Sequence, residues 1–307
     1  MKELDSSKIK ILVCCHKPCE LPQDDIFLPI QVGAAISNVD LGIQRDDQLN
    51  GQSCDNISAK NQSYCELTAV YWAWKNIKML YPDLEYIGLN HYRRFFSFDK
   101  SRLLDDIILQ PLDSIVNYRI NRDKLGKYLG QGYVITAKKR QYPYALDIDY
   151  MYCHISDDFK ILQHVVHSMH PEYDDAFYDV MKRNNAMAHY NMIILRWEEF
   201  DEYCKWLFGI LTECESRIDI SCYNPVQKRI YGYMAERLLN VYTYKNCRKI
   251  KKLNIYKFDN EKPKNLFMTA LKVVRRTVLG KLFCIKRGER HAELMDNEKH
   301  MKLIGQN

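Results

Sequence analysis

The sequence predicts an α/β domain around a mostly parallel central sheet. Short apolar runs alternate along the chain with amphipathic stretches of helical period, the order produced when helices cross over between strands. The two clearest runs end in polar residues. These are His16-Lys17 after the first and Asn90-His91-Tyr92-Arg93-Arg94 after the second. Open α/β sheets hold their ligands at such carboxyl ends.

Lys8 to Cys15 (KIKILVCC) reads as a buried first strand, stopped by His16-Lys17-Pro18. Ile26 to Ala35 is ambiguous, because Pro29 and Gly33 interrupt it. Ser37 to Asn61 is polar and without period, which reads as a loop. Tyr64 to Leu80 carries Leu67, Val70, Tyr71, Trp74, Ile77 and Met79 at near-helical spacing. Ser63 with Glu66 three residues on matches the capping-box pattern, and Pro82-Asp83 ends the helix. Glu85 to Leu89 and Tyr133 to Thr136 read as strands, and Tyr190 to Leu195 as a third. Helices are predicted over Asp157 to His170, Glu198 to Glu215 and Lys228 to Tyr242. The domain reading is one α/β domain over residues 1–245 and a basic helical segment over 246–307.

The composition, 47% hydrophobic and 27% charged, excludes general disorder. The start MKELDSSKIK lacks the apolar core of a signal peptide, and no run of 18 apolar residues predicts a membrane span. The 11 cysteines show neither C-x-x-C spacing nor a histidine at zinc-ligand spacing, so free thiols in the cytoplasm are expected. From Lys245 to Arg290 there are 15 Lys/Arg against 3 Asp/Glu, whereas the whole chain is +6. The C-terminal segment is therefore basic and the remainder mildly acidic. Within it, LFMTALKVVRRTVLGKLF places Leu266, Phe267, Ala270, Leu271, Val274, Val278, Leu282 and Phe283 close to one helical face. Lys272, Arg275, Arg276 and Lys281 fall mostly elsewhere, the pattern of a helix lying in a membrane interface.

Arginines present a planar fork of donors that fits phosphate oxygens, so Arg93 and Arg94 are candidate phosphate ligands. An ion pair with acidic neighbours is the structural alternative. Asp55, Asn56 and Asn61 suit turns and caps, and equally suit sugar hydroxyls. Glu66 is most simply a cap, and Trp72 and Trp74 read as packing residues ahead of sugar platforms. Asp157 and Asp158 near His154 form either a catalytic base with its partner or an acidic helix start. His189-Tyr190-Asn191 leads into a strand as a turn or an acceptor-binding group. Glu236-Arg237 reads as an ion pair, or as a base at a cleft. The one clear Asp-x-Asp, Asp147 and Asp149, follows Pro143 and closes no apolar strand. No divalent metal is therefore expected, since arginines can offset diphosphate charge.

These stretches together carry a family resemblance. His16-Lys17, PIQVGA at Pro29 to Ala34, DNIS-x-KN-x-x-YCELTA-x-YWAWKN, YIGLNHYRRFF, the loosely matched Met151–Asp158 pattern, PEY at Pro171, YNM at Tyr190, EYCKWLF at Glu202 and GYMAERLL at Gly232 cover roughly Ile9 to Tyr242. The chain resembles the glycosyltransferase-like proteins encoded in bacterial capsule, exopolysaccharide and O-antigen clusters, long filed as a domain of unknown function. The resemblance implies a GT-A-like fold with a Rossmann-type nucleotide-sugar domain. It implies a nucleotide-sugar donor, such as a UDP-sugar, and a lipid-linked glycan acceptor. On the donor side it sets His16, Lys17, Gln31, Asp55, Asn56, Asn61, Asn90, Tyr92, Arg93 and Arg94. His91 to Arg94 stand where metal-dependent relatives carry Asp-x-Asp. On the acceptor side it sets His154, His189, Tyr190 and Asn191. Asp158 is the first candidate base, followed by Glu236 and Asp157, with His91 a donor toward the leaving diphosphate. His189 and Ile193-Ile194 stand where the family more often shows bulkier aromatics, which bears on acceptor shape. Some members are associated with galactofuranose transfer, making that sugar a donor candidate. The expected location is the cytoplasm, peripheral on the inner face of the membrane. An inactive nucleotide- or sugar-binding scaffold is one alternative. RNA binding is another, but no nucleic-acid partner is expected, because the basic charge lies after the aromatic motifs.

Overall fold

The computed structural model describes residues 5–102, 106–260 and 266–285. In chain order the elements begin with β1 (Ile9–Cys15), β2 (Phe27–Gln31), β3 (Gln44–Arg45), β4 (Gln48–Leu49) and β5 (Gln52–Ser53). Then come α1 (Asn61–Tyr64), α2 (Leu67–Leu80), β6 (Tyr86–His91), β7 (Arg94–Ser97) and β8 (Ile107–Gln110). They continue with α3 (Arg122–Gly130), β9 (Val134–Ala137), β10 (Arg140–Gln141), α4 (Leu146–Cys153), α5 (Ser156–Met169) and α6 (Asp174–Lys182). The last are β11 (Ala186–Met187), β12 (Ile193–Arg196), α7 (Trp197–Arg217), α8 (Ile230–Asn246), β13 (Ile250–Phe258) and α9 (Leu266–Ile285).

Among these residues the chain divides into two compact units. The first takes residues up to 138, 189–204 and 248–263; the second takes 139–188, 205–247 and those from 264. The sheet of the first unit runs β12-β9-β13-β7-β6-β1-β2-β3, with β8 on β13. It is mixed rather than mostly parallel. β1 lies parallel to β2 and β6, and β13 parallel to β8 and β9. β7 is antiparallel to β6 and β13, and β12 to β6 and β9. The departure has a local cause: Tyr92-Arg93 turn the chain straight back into β7, so β6 is followed by a hairpin instead of a crossover. Because β12 pairs with both β6 and β9, the strands β12, β9, β13, β7 and β6 close on themselves in a barrel-like ring. Gly88 permits the closure, since a Cβ there would lie 2.7 Å from Ile194 Cγ1 and 3.1 Å from the Ile193 carbonyl oxygen.

β1 is buried along its whole length, as a strand with parallel neighbours on both sides must be. The ambiguous stretch near Ile26 resolves into β2, with Pro29 inside it. Residues 37–61, read as loop, contain β3 to β5 and a 3-10 turn. The predicted helix from Tyr64 begins instead at Leu67, because Cys65 takes φ 53° and ψ −130° and separates α1 from α2. No capping box forms: the Ser63 hydroxyl donates to the Lys60 carbonyl at 3.1 Å. The strand expected from Tyr190 begins at Ile193, since Tyr190 and Asn191 take φ 71° and 52°. Residues 250–258, assigned from sequence to a helical segment, form the long strand β13 in the sheet. Its lysines disguised a strand whose Leu253, Asn254, Ile255, Tyr256 and Phe258 are buried.

The second unit is mainly helical, with a two-stranded ribbon of β10 and β11. Helix α7 starts in the first unit and runs on into the second. Asn240 of α8 pins Ala188, accepting its N–H and donating to its carbonyl, each at 2.9 Å. The rings of Tyr173 and Trp206 stack 4.7 Å apart. Helix α9 packs through Gly280, where a Cβ would fall 1.7 Å from Asn185 Nδ2. Among the described residues no helix is long and apolar enough to cross a membrane. Asn265 and residues 286–307 lie outside the described residues, as do the side chains of Leu266, Phe267, Lys281 and Phe283.

Candidate functional site

In the first unit the parallel strands β1, β2 and β6 end side by side, with Cys14 opposite His91 and Cys15 opposite Gln31. Tyr92, in the turn after β6, gathers the cations there. His16 meets its ring edge-on at 5.1 Å, and Lys17 Nζ and Arg93 Cζ stand 5.7 and 5.4 Å from its centre. The thiol of Cys19 is held below its usual range, first by Cys15 and then by the charges of Arg93 and Lys17. The strand ends thus form an electropositive corner.

The two arginines differ. Arg93 Nη1 stands 3.9 Å from Asp259, whose carboxylate already takes Lys257 at 3.1 Å. Arg94 has its guanidinium carbon 4.5 Å over the Tyr190 ring. Among the described residues it has no carboxylate partner, and its Nε, like that of Arg93, is buried without a hydrogen bond. A half-buried guanidinium left this way is costly unless something else supplies the anion. The ion-pair alternative therefore does not account for Arg94. Asn90, at the end of the same strand, is 0% exposed, and among the described residues neither of its amide atoms is hydrogen-bonded. His91 Nε2 donates to the Tyr190 carbonyl at 2.7 Å, which fixes the proton on that nitrogen.

The other donor-side candidates mostly shape the loops. Gln31 donates to the Val39 carbonyl at 2.6 Å and accepts from Leu41 N at 3.0 Å. Asn56 bridges Cys54 and Ser58 as an Asx turn. Asn61 Nδ2 donates to the Cys65 carbonyl at 2.7 Å, and Asp55 accepts from the Tyr71 hydroxyl at 3.2 Å. Asp46, which sequence reasoning missed, is fully buried and accepts from Gly33 N and Ala34 N at 2.8 and 3.0 Å and from the Ser58 hydroxyl. It ties the PIQVGA turn to the DNIS turn.

Glu66 is not the cap that its spacing suggested. Its Oε1 accepts from Asn191 Nδ2 at 2.7 Å, across 125 residues of sequence. The residue before it, Cys65, and both Tyr190 and Asn191 hold positive φ without being glycine. Strained backbone of this kind persists where a site demands it. His189 is buried, with its ring 5.7 Å from that of Tyr190.

The remaining candidates belong to the second unit. Asp158 is buried in the first turn of α5 and accepts from the Tyr223 hydroxyl at 2.7 Å. Burial pushes its carboxyl up to about 7, with the Tyr223 bond opposing and the Asp157 charge adding. Asp157 is exposed and pairs with Lys160 at 3.0 Å. The His154 ring stacks on Tyr233 at 4.0 Å, and its Nδ1 meets Gln227 Oε1 at 3.2 Å. Glu236 is half-buried on α8, beside Arg237, which reaches Asp149 at 3.8 Å and covers the Tyr150 ring. Asp147 and Asp149 lie on helix α4, not at a strand end.

A mixed α/β sheet whose parallel strands end together in a cationic, aromatic corner defines an α/β protein with its candidate site at the carboxyl ends of those strands. The chain belongs to the DUF4422 family, a domain of unknown function, whose model matches residues 10–247. No curated protein matches it. Among solved structures it is similar to the WbbM bifunctional glycosyltransferase in its apo form, with a TM-score of 0.72 and 29% identity. The similarity covers 85% of this chain and 48% of the WbbM chain. The chain thus spans about half the length of that relative.

Proposed function

We propose that this protein is a glycosyltransferase of GT-A-like fold. It takes a sugar from a nucleotide diphosphate and holds the diphosphate at the ends of β1 and β6. The observation that carries the reading is Arg94, a half-buried guanidinium lacking an anion partner among the described residues. The similarity to a glycosyltransferase supports the same class. Arg94 and Arg93 offset the charge of the departing diphosphate, with Lys17 adding to the field and the His16 ring beside Tyr92. The donor is a UDP-sugar, with UDP-galactofuranose among those to be tried, and the hairpin needs no metal.

The acceptor is a lipid-linked glycan of a surface polysaccharide, met on the inner face of the membrane. Support comes from α9. Met268, Leu271, Val274, Val278 and Leu282 form one stripe, each between 47% and 57% exposed. The helix contains no acidic residue, and Lys272 and Arg275 are exposed beside the stripe. Such a helix lies in an anionic interface with its apolar face down.

A thermal-shift series with UDP, UDP-glucose, UDP-galactose, UDP-N-acetylglucosamine and UDP-galactofuranose tests the donor reading. Stabilisation by UDP that disappears in Arg94→Ala supports it. Indifference of the wild-type protein to every member refutes it. Binding without transfer to any lipid-linked acceptor points to a nucleotide-binding scaffold instead.

A further inference from the structure

The Glu66–Asn191 pair has no place in the phosphate-binding role of the hairpin, and its position gives it another. Glu66 stands at the start of α2, yet it caps nothing. One carboxylate oxygen is held by Asn191, and among the described residues the other makes no hydrogen bond. The carboxylate lies close to Cys14, near the end of β1. Its charge, after burial, pushes up the thiol of Cys14, and Cys14 is the register partner of His91. Its holder Asn191 directly follows Tyr190. That residue lies under the Arg94 guanidinium and takes the His91 hydrogen bond on its carbonyl. One short turn therefore links the carboxylate to the groups proposed for the diphosphate. The turn is held in a strained shape, with Tyr190 and Asn191 at φ 71° and 52°.

A nucleotide sugar carries its hexose directly on the terminal phosphate. The hexose therefore lies next to whatever holds that phosphate, and Asn191, which holds Glu66, directly follows the Tyr190 beneath Arg94. A carboxylate with one oxygen fixed offers the other as an acceptor for sugar hydroxyls. Building on the glycosyltransferase reading, we propose that Glu66, oriented by Asn191, binds the hydroxyls of the transferred sugar and so selects the donor. No bond is made or broken by this role. Asn191 is a positioning residue, acting through Glu66.

The experiment compares Kd for UDP with Kd for each of the four UDP-sugars named above, by titration calorimetry on the full chain. Wild-type protein is expected to bind at least one UDP-sugar more tightly than UDP. Glu66→Gln keeps the shape and removes the charge. It is expected to bind UDP as wild type does and to lose roughly tenfold or more in affinity for that UDP-sugar. Asn191→Gly tolerates the positive φ and removes the amide, and is expected to lose part of the same preference. Thermal melting checks that both variants fold. A Glu66→Gln protein that keeps the full preference overturns the inference. So does wild-type protein that binds UDP but no UDP-sugar better, and this result leaves the diphosphate site standing. Absence of UDP binding in the wild type overturns the diphosphate reading itself, and this inference with it.

Discussion

Replacing Asp158 by Asn should make the protein more stable at pH 8 and leave its stability at pH 4 unchanged. The Asp158 carboxyl is buried on α5, and its pKa is raised from 3.8 to about 7, chiefly by that burial. The sign follows from linkage. Between about pH 4 and pH 7 the folded protein holds a proton on this group that the unfolded chain has released. Stability therefore falls as pH rises through that window. Above pH 7 the folded state carries the whole cost of a buried anion, about 4 kcal/mol at ~1.4 kcal/mol per pH unit. Asparagine has the same shape and still accepts from the Tyr223 hydroxyl, which now sits 2.7 Å from Oδ1. It carries no charge to desolvate. Urea melts of both proteins at pH 4, 5, 6, 7 and 8 give the difference. The expected gap opens from near zero at pH 4 to about 2–4 kcal/mol at pH 8. A gap that is constant with pH, or a variant less stable than wild type at pH 8, would refute the reasoning. The same proton affinity suits a general base. If Asp158 serves as one, the stabilised variant loses turnover, and the limb near pH 7 in the wild-type rate profile is absent from that of the variant.

Three further outcomes are expected. Arg94→Ala should weaken UDP binding roughly 10- to 100-fold, the worth of a charge-assisted contact, and Arg94→Lys should recover only part of it. Calorimetry on each variant measures this, and undiminished affinity in Arg94→Ala removes the guanidinium from the site. Leu271→Glu with Val278→Glu should abolish co-sedimentation of the full chain with vesicles containing phosphatidylglycerol, while binding to neutral vesicles stays low throughout. Equal pelleting of wild type and variant sets the α9 stripe aside as a membrane face. Gly88→Ala should cost about 1–3 kcal/mol in denaturant melts, because its Cβ meets Ile194 Cγ1 at 2.7 Å where β12 and β6 close the ring. A silent substitution there means that the two strands separate more easily than their pairing suggests.

Local pattern alone determined much of the frame. β1, β6, α5 and α7 were legible because each is decided by its own periodicity and stop signals: Pro18, Pro171 and the polar run after Leu89. The cationic strand ends were legible for the same reason, since a run that ends in His91-Tyr92-Arg93-Arg94 must bring those groups to an edge of the sheet. What the tertiary structure decided are the features that depend on partners distant in sequence. The parallel reading of the sheet failed at the tight turn after β6, and again at β12, whose antiparallel pairing with β6 and β9 comes from strands distant in sequence and leaves no mark on β12 itself. β13 was hidden because Lys251, Lys252 and Lys257 mask the apolar pattern until neighbours on both sides bury the rest. Glu66 looked like a cap from its spacing, and only the fold brought Asn191 to it. For Arg94 the strand-end position favoured a ligand role over an ion pair, and order along the chain went no further. A carboxylate to pair with it would have come from anywhere in the chain, and whether one arrives is a fact of packing, not of order along the backbone.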